Sequence, residues 1–95
     1  MIDIDFYMGG VVGRPFPEVE AELKADGFER IRAVPVRTTK RNRITMRRGA
    51  HEDSDTVMLE HAWEVDQYGI GRPGKITEAK VLENGARFDY GNGIV

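Results

Sequence analysis

No cysteine occurs anywhere in the 95 residues, which removes disulfides, thiolate nucleophiles and every cysteine-based zinc site together. Small secreted domains commonly depend on disulfide staples, so a reducing, cytoplasmic setting is expected. Long apolar runs are missing too: nothing approaches the roughly 20 residues of a membrane helix, and no membrane role is expected. Met1-Ile2-Asp3-Ile4-Asp5 carries acids where a secretory signal carries basic and then apolar residues. Serine is nearly absent, Ser54 being the only one, and there is one tryptophan. No phenylalanine, tyrosine or tryptophan stands between Phe28 and Trp63. Excess positive charge is lacking as well, and a net charge of −2 argues against nucleic-acid binding by bulk charge.

What is present is the composition of a folded protein, 40% hydrophobic and 32% charged. The length allows one core, so residues 1–95 are expected to form a single domain. Along the chain, Ile2, Ile4 and Phe6 alternate with Asp3 and Asp5, which predicts a half-buried strand over Met1 to Met8. Gly9, Gly10 and Gly13 break it, and Pro15 and Pro17 prepare a helix start. A helix is expected from about Pro17 to Asp26, with Glu18, Glu20 and Glu22 near its positive end and Gly27 as its left-handed stop. Val19 and Leu23 define its buried stripe, flanked by Phe16 and Phe28.

Strand signals dominate the remainder. Glu29 to Val36 is strand-like, with Pro35 marking an edge. A polar turn over Thr38 to Asn42 leads into Arg43 to Arg48, where Ile44 and Met46 share a face, so a hairpin is expected. Val57, Leu59, His61, Trp63 and Val65 alternate with Glu60 and Glu64, the clearest strand in the chain. Gln67 to Gly74 is expected as a Gly/Pro loop, and Asn84-Gly85 as the turn of a last hairpin joining Lys75 to Glu83 with Ala86 to Tyr90. The predicted fold is α+β: a single short helix packed on a mostly antiparallel sheet of about five to six strands.

Chemistry-bearing patterns are weak. Ser54 lies among His51, Glu52, Asp53 and Asp55, but a triad needs a nucleophile on a constrained turn with an oxyanion hole, and no G-x-S-x-G surrounds it. Asp53, Asp55 and Glu64 fit the first, third and twelfth places of a calcium loop, yet Val57 and Met58 stand where an oxygen ligand and a glycine belong. Gly69 to Gly74 spells G-x-G-x-x-G but precedes a strand-like segment, and Pro73 removes a backbone donor, so a flexible loop between strands is the better account, with a contact role left open. His61, beside Trp63 on an apolar face, has the surroundings of a core histidine. No catalytic residue, metal site or cofactor is expected, and the chain is expected not to be an enzyme.

One feature stands above this background. Arg30 to Arg48 holds eight of the chain's 14 basic residues and no acid. Arg37, Lys40, Arg41, Arg43, Arg47 and Arg48 fall within twelve positions and are the candidate partner-binding residues. Arginine suits bidentate contact with carboxylate or phosphate, whereas a charged edge hairpin is also a common guard against aggregation. Single-strand nucleic-acid binders interleave rings with cations, and this segment has none. A protein partner is therefore expected before a nucleic-acid phosphate backbone. Small, cysteine-free, motif-poor chains are frequent among phage-encoded proteins that disable host defence, which sets the expectation of an inhibitor or adaptor.

Overall fold

The structure, a computed structural model, describes residues 1–50 and 54–82. Two helices, α1 (Ile4–Met8) and α2 (Phe16–Ala25), precede four strands: β1 (Phe28–Val36), β2 (Arg41–Arg48), β3 (Thr56–Val65) and β4 (Gly71–Leu82). The strands form one antiparallel sheet in the order β1-β2-β3-β4. The α+β class and the antiparallel sheet agree with expectation, while the described residues hold four strands and two helices instead of five to six strands and one. The predicted Asn84-Gly85 hairpin lies outside the described residues.

The opening segment is a helix, correcting the strand expected there. Asp3 caps it, its carboxylate accepting from the Phe6 N–H at 3.5 Å. Ile4 and Met8 are buried at a spacing of four, one helical stripe, and Val11, just past the helix, is buried beside them in the same core. Phe6, which strand alternation placed in the core, is 86% exposed. Over so few residues the two periods overlap, and only the fate of Phe6 separates them.

α2 follows expectation closely. Phe16, Val19 and Leu23 are buried, Pro17 sits in the first turn, and Gly27 stops the helix at φ +94°. Both helices pack on one face of the sheet, sharing a core with Phe28, Ile44, Met46, Val57, Leu59 and Ile76. Arg14 ties this layer together by pairing with Glu18 and Glu22, and the Tyr7 hydroxyl donates to Glu22 at 2.5 Å. Burial and then the Glu22 carboxylate push the Tyr7 phenol up to about 12, so it stays a donor. The connection between the helices also pairs with the outer edge of β4, the Gly13 N–H donating to the Ile76 carbonyl at 2.8 Å and the Ile76 N–H to the Arg14 carbonyl at 2.9 Å.

Two further expectations are revised. β4 begins at Gly71, so half of the predicted Gln67 to Gly74 loop is strand. Pro73 is tolerated because β4 pairs with β3 alone at that level, where a missing N–H costs no ladder bond on its outer side. β3 is also buried on both faces over its first half: Thr56, Met58 and Glu60, on the face away from the helices, are as enclosed as Val57 and Leu59. Beyond His61 it emerges, and Trp63 and Val65 are exposed instead of lining the core.

Leu23→Ala should lower unfolding free energy by about 2–5 kcal/mol, whereas Phe6→Ala should stay within about 0.5 kcal/mol of the parent in urea titrations. Comparable losses at the two positions would return Phe6 to the core and contradict the helical start.

Candidate interaction surface at the turn end of the sheet

The meander sets both of its tight turns at the same end. β1 and β2 are joined by residues 37–40, with Val36 level with Arg41; β3 and β4 are joined by residues 66–70, with Val65 level with Gly71. Arg41 is in turn level with Ala62 across β2 and β3. Trp63 to Val65 therefore run past the end of β2 and, with Gly71 to Pro73, form a two-stranded arm.

The structure divides the six basic residues singled out in the sequence. Arg48 is a brace: it pairs with Asp26 and Asp55, donates to the Ile2 carbonyl at 3.2 Å, and lies over the Phe28 ring. Asp26 also accepts from the Ile2 N–H at 3.0 Å, and that bond, followed by Arg48, holds its carboxyl below the usual range. Arg47 donates through Nε to the Thr56 hydroxyl at 3.3 Å. Arg43 stands 3.8 Å from the Glu60 carboxylate, and its buried Nε has no hydrogen-bond partner among the described residues. Arg37 and Lys40 lie in the exposed turn, Lys40 in the left-handed region at φ +55°, and Arg41 follows them at the start of β2. None of these last three forms an ion pair with a described residue. The accessible part of the basic segment is thus its turn.

Beside that turn, the arm carries large apolar side chains in solvent: Trp63 is 47% exposed, Tyr68 78%, and Val65 and Ile70 more than half. Trp63 is held in place by a row of rings. It meets His61 edge-on at 5.2 Å, and His61 lies against buried Phe16 at 4.4 Å. His61 is itself buried, with Nδ1 2.9 Å from the Ala62 carbonyl, so its contacts are those of a packed residue. Across the arm, the Trp63 ring lies over Gly71, its Cε3 3.9 Å from where a side chain would begin. The turn is equally well tied: Asp66 accepts from the N–H groups of Tyr68 at 2.8 Å and Ile70 at 3.0 Å, and Gly69 supplies φ +81°. Arg72 reaches to 3.8 Å from Asp66 and is otherwise exposed.

Sequence reasoning missed this arm because alternation assigned Trp63 and Val65 to the core. Its signal was the Gly/Pro segment after Val65, which marked a flexible loop with a contact role left open but gave no sign that β3 outlasts β2. Ser54 sits in a loop where its carbonyl accepts from the Thr56 hydroxyl at 2.9 Å; His51, Glu52 and Asp53 lie outside the described residues.

Beneath the basic strand, Glu60 lies between Arg43 on β2 and Glu78 on β4, its cross-strand neighbours, with its side chain 6% exposed. Burial, and then the hydrogen bond with Glu78, push this carboxyl above the ordinary range against the pull of Arg43 and, more weakly, Arg41. A raised folded-state value means that Glu60 favours folding below the ordinary carboxyl pKa and loses that contribution as pH rises through its folded value. Glu60→Gln should therefore gain stability relative to the parent as pH is raised from about 4 to 7 in chemical denaturation. A relative loss over that interval would show that Arg43 outweighs burial. Comparison with known proteins adds no likeness: no protein-family model, curated protein or solved structure matches the chain.

Proposed function

We propose that the chain is a non-enzymatic protein-binding domain, an inhibitor or adaptor, that docks through the turn end of its sheet. One observation carries this: three cations without ion-pair partners among the described residues, Arg37, Lys40 and Arg41, stand beside an arm that holds Trp63 and Tyr68 in solvent. Tryptophan, tyrosine and arginine are the residue types that most often dominate binding energy at protein interfaces. Cations at the rim of such a patch act chiefly on encounter rate and partner choice.

Contact with a nucleic-acid phosphate backbone is the alternative use of the same cations. It is disfavoured by Glu64 and Asp66, two acids on the arm itself, because a backbone charged at every phosphate cannot lie along this end without meeting them. The other cations of the basic segment are also engaged within the fold, Arg48 and Arg43 with carboxylates and Arg47 with a hydroxyl, which leaves few free for a phosphate track.

Reversing Arg37, Lys40 and Arg41 to glutamate should leave the melting curve nearly unchanged and slow association with the protein captured from cells that make the chain by about tenfold at low salt. Capture that is lost on nuclease treatment, or an unchanged association rate in the folded triple variant, would contradict protein docking through this end.

A further inference from the structure

We infer that the β3–β4 arm is the apolar anchor of the docking surface, and that its occupant is a protein segment pairing large apolar side chains with flanking aspartate or glutamate. This rests on the proposed docking function and specifies its partner. The arm supplies the apolar half of the match. Trp63 and Val65 share one strand face, and their cross-strand neighbours are Pro73 and Gly71, so no long side chain opposite them covers either. Tyr68 and Ile70 follow on a turn fixed by Asp66. Four large side chains displayed by an ordered backbone lose little conformational freedom on binding, which is the condition for an effective anchor.

Charge supplies the other half. Among the described residues, the turn end carries Arg37, Lys40, Arg41 and Arg72 against Glu64 and Asp66, a net excess of two positive charges (4 − 2). Two copies docked through a twofold axis would set this excess against itself, which favours a partner with a negative rim. Stacking on nucleobases would use Trp63 and Tyr68 but leave Val65 and Ile70 without a role, since aliphatic side chains offer no π-face. Insertion into a lipid surface would carry Glu64 and Asp66 toward hydrocarbon along with their apolar neighbours, at high desolvation cost. An acidic apolar segment gives all four apolar side chains a contact and meets the net positive charge of this end, with its acids placed toward Arg37, Lys40 and Arg41 and away from Glu64 and Asp66.

The chain's single tryptophan lies in the arm, so its emission reports occupancy directly. A phage-displayed library of random 12-residue peptides panned on the full chain should enrich sequences containing Phe, Leu or Ile beside two or more acids. Synthetic peptides of those sequences should shift Trp63 emission to shorter wavelength and bind at least tenfold more weakly to Tyr68→Ala/Ile70→Ala. Both positions are exposed, so the variant is expected to melt like the parent, and Val65→Ser, at a third exposed position of the arm, provides a second variant that keeps the Trp63 reporter and should also bind the peptides more weakly. Enriched peptides that lack acids, or no enrichment at all, would overturn the inference. So would a Trp63 shift produced only by a 20-nucleotide single strand, by anionic vesicles, or by self-association in sedimentation. Peptides weakened by Arg37→Glu/Lys40→Glu/Arg41→Glu but indifferent to Tyr68→Ala/Ile70→Ala would remove the arm while leaving docking through the basic turn intact.

Discussion

Ile44 is level with Leu59 and Met46 with Val57 on the two central strands, and this pairing fixes the positions of the other elements. These four side chains are fully buried and form the floor on which both helices rest. Because side chains alternate with a period of two, a slip of one residue would bring Arg43, Thr45 and Arg47 against the helices, an arrangement no part of the core could accommodate. The register is therefore not negotiable, and it has a consequence at the far end. With Arg41 held level with Ala62, the last residues of β3 have no partner on the β2 side, and they leave the sheet as an arm. The interaction surface is thus a by-product of core packing, set by the difference in length between two neighbouring strands.

The same register sorts the positive charge. Arg48 falls beside Phe28 at the end remote from the turns, where it secures the start of the chain and the end of α2 through Asp26 and Ile2. Arg30, over the Phe16 ring, pairs with Glu20 of α2. Arg43 and Arg47 stand on the face away from the helices, next to Glu60 and Thr56. A segment that looks uniformly basic in the sequence thus becomes mostly structural, and its accessible charge is concentrated at one turn. Cations tied to carboxylates in this way have less to offer a partner, since breaking a half-buried pair leaves the other charge exposed to a desolvation cost.

Much of the fold was legible because its signals were local. Val19, Leu23 and Gly27 marked α2 by helical spacing and a left-handed stop, and both are where the residues implied. Ile44 and Met46 marked the inner face of β2, and Pro35 marked β1 as an edge. The first helix was not legible as such: Ile2, Ile4 and Phe6 satisfy a strand period, and in a helix of five residues the pair Ile4 and Met8 is the whole of the helical signal. The candidate site was half legible. Charge segregation pointed to the basic hairpin and to Arg37, Lys40 and Arg41, but the arm depends on how far β3 outruns β2, and no composition or period encodes relative strand length. Trp63 stands 22 positions from Arg41 in the sequence and one position beyond its cross-strand partner in the sheet. Aromatic and basic residues that the sequence separates are neighbours in the fold.

Covalent capture tests the central claim, that this end of the sheet meets a protein. A photo-reactive benzoylphenylalanine placed at position 68, in the exposed turn of the arm, and in a separate variant at Ala21, exposed on α2, would be irradiated in cells that make the chain. The account predicts a protein adduct from position 68 and none from position 21. An adduct from position 21 alone, or one from position 68 to nucleic acid or lipid instead of protein, would contradict it.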